Sequence, residues 1–427
     1  MATRRFKYRL YPTVEQQTYL AKTFGCVRFV WNEILGRHTK AYEACKSNST
    51  LPKPSADDNT FIKAVTPLKA EFEWLNEVHS TPLQQSAKNL GQAFQRFFKP
   101  DKSGKRAGHP QFKKRSNRQS ANFTRGTFKL TGDHYHKHKG NVVFTLGKCK
   151  EPFKVAWSRA LPAPPSSVTI TRDPDGRYYA SFVCEAPQRL YTGTGIIGVD
   201  LGLKDFAICS DGVVIPNPKY SYKAHARLVR EQRRLARKQP GSANRNKARV
   251  KVARCYSRVA NQRRDFHHKV STQLVRENQA IGIETLKVKN MLKNHKLARS
   301  ISDVGWGQFV EMLSSKAKAS MHVRLVGAAS QFPSTQLCCV CLTRPTERIT
   351  IDIREWVCEH CKTPHDRDLN AAVNLETLAR WAIANHPPDP KNRPLLFGSP
   401  EDNSRLQGYQ NPEMLEWLAT LRPALAS

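Results

Sequence analysis

Acidic residues are scarce in this chain of 427 residues, which has 35 Asp and Glu but 70 Lys and Arg. The formal net charge at pH 7 is therefore +35. A surface with so few carboxylates attracts polyanions, and nucleic acid is the partner that this charge favours. A ribosome-like structural protein and a protein that binds membrane surfaces are the alternatives that charge alone leaves open.

Long apolar runs are also missing. No stretch approaches the roughly 20 apolar residues that a membrane span requires, and no apolar run follows the charges of residues 1–7, so we expect no secretion signal. Five of the 11 cysteines cluster between 338 and 361, which is typical of a reducing compartment with one metal site. The other six are scattered singly, at Cys26, Cys45, Cys149, Cys184, Cys209 and Cys255. We therefore expect a soluble intracellular protein.

Hydrophobic periodicity predicts helices and strands in separate groups in the first part of the chain. Residues 6–11 alternate like a strand, residues 13–34 and 83–98 have helical spacing, and residues 41–60 are polar and loop-like. Strand patterns then follow at 142–146, 167–171 and 178–184. We expect the first strand to join the later ones in one β-barrel that a helical insert interrupts.

The second part alternates short apolar strands with helices. Residues 195–200 form a strand that ends in an acid, residues 204–209 complete a hairpin with it, and residues 280–284 again end in an acid. Helical patterns at 221–277 break at the Pro-Gly-Ser of 240–242. Further elements are expected at 306–321 (helix), 323–328 (strand) and 369–384 (helix). Residues 386–427 hold seven of the 26 prolines, and we expect a mostly disordered tail with at most a short helix at 411–421.

The clustered cysteines have the spacing of a metal site. Cys338, Cys341, Cys358 and Cys361 form two C-x-x-C pairs, and four thiolates can complete a tetrahedral zinc shell. Residues 349–353 and 355–357 are expected to form the strands of a ribbon between the pairs, and Cys339 is left over. One structural Zn²⁺ is favoured over a catalytic one because four thiolates leave no open position; a redox dithiol is the alternative.

Three acids follow the pattern of a ribonuclease H-like site. Asp200 and Glu284 each end an apolar strand, and Asp368 begins a helix. Singly, such acids are usually solvated turn residues or helix caps. Together they could hold two Mg²⁺ about 4 Å apart, which would activate a water and stabilise the leaving oxygen of a phosphodiester.

Residues 223–269 hold 16 Lys and Arg but only two acids, Glu231 and Asp265. A charge run is usually a solvated helical face, yet this excess of positive charge would repel itself strongly without a polyanion. We expect RNA or an RNA–DNA duplex to lie on this face. The candidate contacts are Arg230, Arg233, Arg234, Arg237, Lys238, Arg245, Lys247, Arg249, Arg254, Arg258, Arg263 and Arg264.

These motifs together resemble the TnpB family, the RNA-guided nucleases of small IS200/IS605-type transposons, which are considered ancestral to type V CRISPR effectors. The resemblance runs to about residue 385 and rests on motifs in family order: Arg9-Leu-Tyr-Pro12, residues 198–206, 282–286, 302–306, 332–338 and 365–372. It implies that Asp200, Glu284 and Asp368 are the catalytic triad that binds Mg²⁺, with Asp366 a neighbour. Leu342 and Lys362 stand where the family often has glycine after each C-x-x-C.

The resemblance also implies a multi-domain α+β organisation. An N-terminal wedge-like β-barrel (1–12 and 106–190) would carry a helical recognition insert (13–105). A ribonuclease H-like RuvC α/β domain (191–329 and 362–385) would carry an inserted zinc ribbon (330–361).

The implied partners are a guide RNA from the transposon right end and a target double-stranded DNA, cut beside a short adjacent motif. Gln84 and Thr124 would read that motif, while base pairing supplies most of the specificity. We expect a monomeric protein in a ribonucleoprotein without a membrane partner, in the prokaryotic cytoplasm and associated with the nucleoid.

Two other functions remain open at this stage. A nuclease-silent, RNA-guided repressor would be expected to lack one or more of the three acids, all of which are present. A DNA-strand transposase, or an accessory protein to one, would need a tyrosine nucleophile with a His-x-His-type metal pair, or acids used for end joining. The stretch His134-Tyr135-His136 suggests such a pair, but it lies in a polar loop of the barrel region and is better explained as surface or RNA-contacting.

Overall fold

The computed structural model describes residues 2–100, 104, 106–116, 118–132, 142–187, 191–320, 322–328, 332–350, 352–385 and 395–396. The chain falls into two compact units, Met1–Pro187 and Gln188–Ser427. The His-x-His stretch at 134–136 and the helix expected at 411–421 lie outside the described residues. Within the described part, the structure contains no helix with the length and apolarity that a membrane crossing needs.

The first unit is a sheet with a helical layer inserted after its first strand. Strand β1 (Ala2–Tyr11) is followed by α1 (Val14–Ser47), α2 (Asp58–Lys63), α3 (Val65–Glu71), a 3-10 turn (Glu73–Glu77) and α4 (Ser80–Phe98). The remaining strands are β2 (Gln119–Thr124), β3 (Phe128–Thr131), β4 (Val143–Leu146), β5 (Cys149–Ala156), β6 (Ser167–Arg172) and β7 (Tyr178–Ala186).

The seven strands form one sheet in the order β2-β6-β7-β1-β5-β4-β3. Strand β1 pairs antiparallel with both β5 and β7, which confirms that the first strand joins the later ones. The edge strands β2 and β3 follow each other in the chain, and the described residues form no ladder between them. The expected barrel is therefore a nearly closed sheet.

Helix α1 is longer than the sequence pattern predicts. It begins at a capping box in which Thr13 and Gln16 exchange hydrogen bonds, as the sequence suggests. It then continues to Ser47, and α2 begins at Asp58, so the loop predicted for 41–60 is wrong at both ends. The last turns of α1 are polar because they are exposed, and their Ala, Glu and Lys residues favour a helix without any apolar face.

The second unit is built on a mixed sheet. Its strands are β8 (Gly195–Leu201), β9 (Asp205–Cys209), β10 (Val214–Pro216), β11 (Asn278–Glu284), β12 (Arg324–Ala328), β13 (Glu355–Val357), β14 (Pro364–Asp366) and β15 (Leu395–Leu396). Its helices are α5 (Tyr220–Ala236), α6 (Ala243–Glu277), α7 (Val288–Met291), α8 (Ala298–Val304), α9 (Trp306–Ala319) and α10 (Arg367–Asn385). Six strands pair in the order β10-β9-β8-β11-β12-β15, and β13 pairs with β14 alone.

Parallel pairing in the centre of this sheet brings strand ends together. Strand β11 lies parallel to β8 and to β12, whereas β9 forms an antiparallel hairpin with β8. The hairpin, the helix break at 240–242 and the positions of β11, α9, β12 and α10 agree with the sequence prediction to within a few residues. The two acids expected at strand ends therefore lie at the same edge of the sheet.

The ribbon differs from its prediction in one strand. Residues 349 and 350 and residues 352–354 are not in a strand; β13 pairs instead with β14, which runs directly into α10. The reason is a side chain: the amide of Gln336 accepts from the Ile349 N–H at 2.9 Å and donates to the Ile349 carbonyl at 2.7 Å. These two bonds satisfy the backbone groups that a partner strand would otherwise take.

Candidate metal centres and basic surface

Two glycines fix how closely α10 approaches the sheet. Gly198 on β8 and Gly282 on β11 face each other across the parallel ladder. A Cβ added to Gly198 would lie 1.8 Å from the carbonyl oxygen of Ala372, and one added to Gly282 would lie 2.0 Å from that of Leu375. Only residues without a Cβ let the helix backbone rest directly on these two strands.

The same packing assembles three acids. Side chains alternate along a strand, so Asp200 and Glu284, two residues after these glycines, lie on the side that α10 covers. Asp368 lies in the first turn of α10. Asp200 is only 9% exposed, and the Asp368 side chain is 19% exposed. The structure thus brings together all three acids that the sequence singles out.

The acids destabilise one another's charged forms. Burial raises the pKa of Asp200 well above its ordinary value, and the charges of Glu284 and then Asp368 raise it further. Burial also raises the pKa of Glu284; a hydrogen bond from Ser334 offsets part of that rise, and the charge of Asp368 adds to it. A cluster of this kind needs positive charge to ionise fully, and an all-carboxylate donor set suits Mg²⁺.

Two arginines supply positive charge from the protein itself. Arg354 forms an ion pair with Asp368 Oδ2, and Arg367 donates to Asp368 Oδ1 from Nη2 at 2.7 Å and from Nε at 3.0 Å. Both guanidinium groups lower the pKa of Asp200 against the effects that raise it. Asp366, expected to be a neighbour of the site, accepts hydrogen bonds from the N–H groups of Asp368 and Leu369 and so caps α10.

Sequence reasoning missed Ser334, Arg354 and Arg367. Ser334 Oγ donates to Glu284 Oε1 at 2.6 Å. Ser334 belongs to the motif at 332–338, and Arg367 stands between two acids, so both carried a positional signal. Arg354 carried none, because only the fold of the ribbon brings it to Asp368.

The four predicted cysteines converge. One ligand atom from each of Cys338, Cys341, Cys358 and Cys361 lies within 4.8 Å of all the others. The Cys338–Cys361 sulfurs are 3.6 Å apart and the Cys341–Cys358 sulfurs 3.5 Å apart. A compact four-thiol group can hold a metal ion such as zinc. Cys339 is outside this group, and its backbone N–H donates to Asn370 Oδ1 at 2.9 Å.

The pKa values of these cysteines are shifted in opposite directions. Burial is the main cause that raises the pKa of Cys338, while backbone N–H groups of Cys341 and Val340 lower it in part. At Cys358 burial is outweighed by hydrogen bonds, first from the backbone N–H groups of Cys361 and His360, which lower its pKa to about 6. Four adjacent thiols cannot all ionise without a cation, so metal binding must release protons.

The two C-x-x-C turns share one backbone design. Leu342 has φ 60° and Lys362 has φ 58°, and their N–H groups donate to the Cys338 and Cys358 carbonyls, each at 2.9 Å. The left-handed conformation disfavours residues with a Cβ by about 1–2 kcal/mol. The positions where the family often has glycine are therefore the positions where this chain adopts a glycine-like conformation.

The basic segment forms two helices, α5 and α6, which pack against each other. Ten of the twelve predicted contacts are exposed. Arg245 and Arg263 are half-buried and have structural partners: Arg245 donates to the Leu235 and Lys238 carbonyls, and Arg263 donates to those of Ser302 and Asp303. Four of the exposed arginines line a shallow cavity of about 520 Å³ along α5, namely Arg230, Arg233, Arg234 and Arg237.

The two residues proposed to read a DNA motif lie on different elements of the first unit. Gln84 is exposed on α4, and Thr124 is half-buried at the end of β2. Helix α4 packs against β2, and the Thr124 carbonyl is engaged by Thr127. Among the residues that the structure describes, neither side chain forms a hydrogen bond.

Comparison with known families finds three matches in order along the chain. Residues 181–295 match OrfB of IS605, described as "Probable transposase". Residues 306–375 match the "Cas12f1-like, TNB domain". Residues 1–47 match a family described as "Helix-turn-helix domain", although this segment folds into β1 and the single helix α1.

Comparison with individual proteins gives a consistent result. A Streptomyces pristinaespiralis protein named "Putative RNA-guided DNA endonuclease" is 42% identical over 87% of this chain and 88% of its own length. The Escherichia coli K12 protein InsQ, with the same description, is 31% identical over 73% and 77%. A cryo-EM structure of a Cas12f1–sgRNA–target DNA complex shares the fold, with a TM-score of 0.51 at 11% identity over 88% of this chain and 98% of that one. On the strength of these relatives, this chain belongs to the TnpB family of IS605-type transposon proteins.

Proposed function

We propose that this protein is an RNA-guided, Mg²⁺-dependent endonuclease that cleaves double-stranded DNA beside a short adjacent motif and is encoded by a transposable element. The observation that carries the proposal is the convergence of Asp200, Glu284 and Asp368 from β8, β11 and α10 in one cluster, in which Asp200 is buried and the other two acids are half-buried. The two relatives described above share the endonuclease description. An intact, assembled set of acids favours a nuclease over a silent repressor.

The residues fit the metal that a RuvC-type site would use. Asp200, Glu284 and Asp368 would hold two Mg²⁺ through carboxylate oxygens, and the ions would activate water and stabilise the leaving 3′ oxygen. Burial of Asp200 keeps bulk water away from the carboxylates and strengthens their interaction with cations. Arg354, with 47% of its side chain exposed, is placed to contact a phosphodiester brought to Asp368.

The basic helices support the RNA-guided part of the proposal. The ten exposed Lys and Arg among the predicted contacts offer phosphate contacts along α5, α6 and the turn between them, and such contacts bind without reading sequence. The guide RNA would then supply the specificity by base pairing with the target strand. Gln84 and Thr124 are proposed as readers of the adjacent motif.

The domain assignment is part of the same proposal. The wedge would comprise 1–12 and 106–190 and the recognition insert 13–105; the RuvC domain would comprise 191–329 and 362–385, and the zinc ribbon 330–361. The ribbon would hold one Zn²⁺ through its four cysteines. The protein would act as a monomer because one chain supplies all three acids.

Plasmid cleavage by a reconstituted ribonucleoprotein tests the proposal. The chain should be expressed with RNA from the right end of its element, and the copurifying RNA sequenced. Linearisation of a plasmid that carries target and adjacent motif should require both this RNA and Mg²⁺. Strand transfer without guide RNA would instead identify a transposase, and RNA-dependent binding without cutting by the wild-type chain would identify a repressor.

A further inference from the structure

Glu284 has a hydrogen-bond partner that comes from outside the sheet. Ser334 Oγ donates to Glu284 Oε1 at 2.6 Å, and Ser334 is 3% exposed. Glu284 is half-buried, and a partly shielded carboxylate oxygen that loses such a donor regains only part of that bond from water. The bond engages Oε1 and does not involve the other oxygen, Oε2.

The turn that carries Ser334 is fixed by α10. Asn374 Nδ2 donates to the Ser334 carbonyl at 2.8 Å and to the Leu337 carbonyl at 2.7 Å, and Asn370 Nδ2 donates to the Leu337 carbonyl at 2.7 Å. Asn370 and Asn374 are 2% and 1% exposed and stand one helical turn apart. Three well-formed amide bonds in a buried setting leave this turn little freedom.

The same turn leads into the cysteine cluster. Cys338 follows Leu337 directly. The backbone N–H of the following residue, Cys339, donates to Asn370 Oδ1 at 2.9 Å. Asn370 therefore binds both the turn and the backbone between the first two cysteines of the cluster, Cys338 and Cys341. Helix α10 also carries Asp368 in its first turn. This one helix therefore contacts the cysteine cluster, holds the turn of Ser334 and so reaches Glu284, and supplies Asp368 itself.

We propose that Ser334 is a positioning residue for Glu284, and that the folded ribbon sets the affinity of the acid cluster for divalent cations through it. This inference rests on the proposed function, because it assigns Glu284 to cation binding. The Ser334 hydroxyl fixes the rotamer of Glu284, and the Asn370 and Asn374 amides fix Ser334. Loss of an outer partner of this kind typically weakens metal binding about 10- to 100-fold.

Manganese binding measures this directly, apart from cleavage. The full-length chain, freed of RNA by nuclease and high salt and loaded with one equivalent of Zn²⁺, is titrated with Mn²⁺ and the free ion is followed by EPR. Ser334→Ala should raise the Mn²⁺ dissociation constant about 10-fold or more. Ser334→Thr, which keeps the hydroxyl, should bind more tightly than Ser334→Ala.

A matched control exists in the ribbon itself. Thr346 Oγ1 donates to Glu359 Oε2 at 2.7 Å, which is the same kind of bond, but both residues are exposed and belong to the ribbon surface. Thr346→Ala should leave Mn²⁺ affinity unchanged. Zinc-free wild-type protein should lose affinity in the same direction as Ser334→Ala, and circular dichroism should show the sheet and α10 intact in every variant.

The outcomes separate this inference from the proposed function. If Asp200→Ala abolishes Mn²⁺ binding while Ser334→Ala retains wild-type affinity, the positioning role of Ser334 is wrong and the nuclease proposal stands. If Ser334→Thr binds no better than Ser334→Ala, the hydroxyl is not what positions Glu284. If Asp200→Ala binds Mn²⁺ as well as wild type, the acid cluster is not the cation site and the proposed function loses its basis.

Discussion

The contact between Gly198 and helix α10 makes a strong prediction, because a single methyl group must move the helix. In Gly198→Ala the new Cβ would lie 1.8 Å from the Ala372 carbonyl oxygen and 2.5 Å from the Glu376 nitrogen. Real Cβ atoms essentially never come closer than 3.0 Å to such atoms, and both of these belong to the helix backbone. No side-chain rotation can relieve the clash, so α10 must shift by roughly 1 Å or more.

The magnitude follows from this shift. Overpacking a well-packed site costs typically about 1–3 kcal/mol in the free energy of unfolding. The shift also moves Asp368 relative to Asp200, and a misplacement of about 1 Å can reduce a catalysed rate about 100-fold. We therefore expect Gly198→Ala to remain folded with a lower melting temperature and to cleave target DNA at least about 100-fold more slowly.

Thermal unfolding and single-turnover cleavage by the ribonucleoprotein measure the two effects. Gly307→Ala in α9 is the matched control, because in the described part of the chain a Cβ there meets no atom within 4 Å beyond its neighbours and the backbone of its own helix. The stability of this variant should stay the same or rise by up to about 1 kcal/mol. If Gly198→Ala unfolds at the wild-type temperature and cleaves at the wild-type rate, the absence of a Cβ at residue 198 does not determine how closely α10 packs on the sheet.

Three further predictions concern charge and backbone. Asp200→Asn should increase the free energy of unfolding of the metal-free protein at neutral pH by about 0.5–2 kcal/mol, which raises its melting temperature. Because the pKa of Asp200 is raised in the folded protein, ionisation of this acid costs stability at every pH above the ordinary carboxyl pKa. The gain should therefore shrink as pH falls through the raised pKa and vanish once the unfolded chain also protonates the acid; a gain independent of pH in thermal scans would contradict this. Lys362 has φ 58°, a conformation that disfavours residues with a Cβ. In a chelator competition, Lys362→Gly should therefore bind zinc more tightly than wild type, and Lys362→Val more weakly. Equal zinc affinities of the three proteins would show that this turn is not strained. The double variant Arg233→Ala, Arg237→Ala should weaken RNA binding in a filter-binding assay and reduce the slope of log affinity against log salt by about 2. Arg380→Ala serves as the control, because Arg380 is paired with Glu376. An unchanged slope in the double variant would show that these two arginines do not contact RNA.

Local sequence signals predicted much of this fold. Strands β8 and β11 were visible because each is a short apolar run that ends in an acid, and the start of α1 because Thr13 and Gln16 have capping-box spacing. The helix break at 240–242 followed from Pro240 and Gly241. In each case the residues that form the element also carry the signal, so no long-range contact had to be known.

The features that the sequence did not predict depend on contacts between distant residues. Residues 349–353 look like a strand, but Gln336 takes the hydrogen bonds of Ile349. Arg354 looks like an ordinary surface arginine until the ribbon places it on Asp368. Periodicity cannot show such pairs, because it reports which face of an element is apolar and not which loop will cross it.

The candidate site divides in the same way. The identity of the three acids and four cysteines could be proposed from spacing and order, and the structure brings each set together. The bonds that orient them, from Ser334 to Glu284 and from Arg354 to Asp368, became visible only in three dimensions. Such outer partners are short-range hydrogen bonds between residues far apart in the chain.

The most direct test of the central claim separates binding from cutting at one side chain. Ribonucleoproteins of wild type and Asp200→Ala should bind the same target DNA with closely similar affinity, measured with Ca²⁺ in place of Mg²⁺. In Mg²⁺ only the wild type should then linearise the plasmid, with the Asp200→Ala rate at background. Cutting by Asp200→Ala at the wild-type rate would contradict the account, because the cluster of Asp200, Glu284 and Asp368 would then not be the nuclease site.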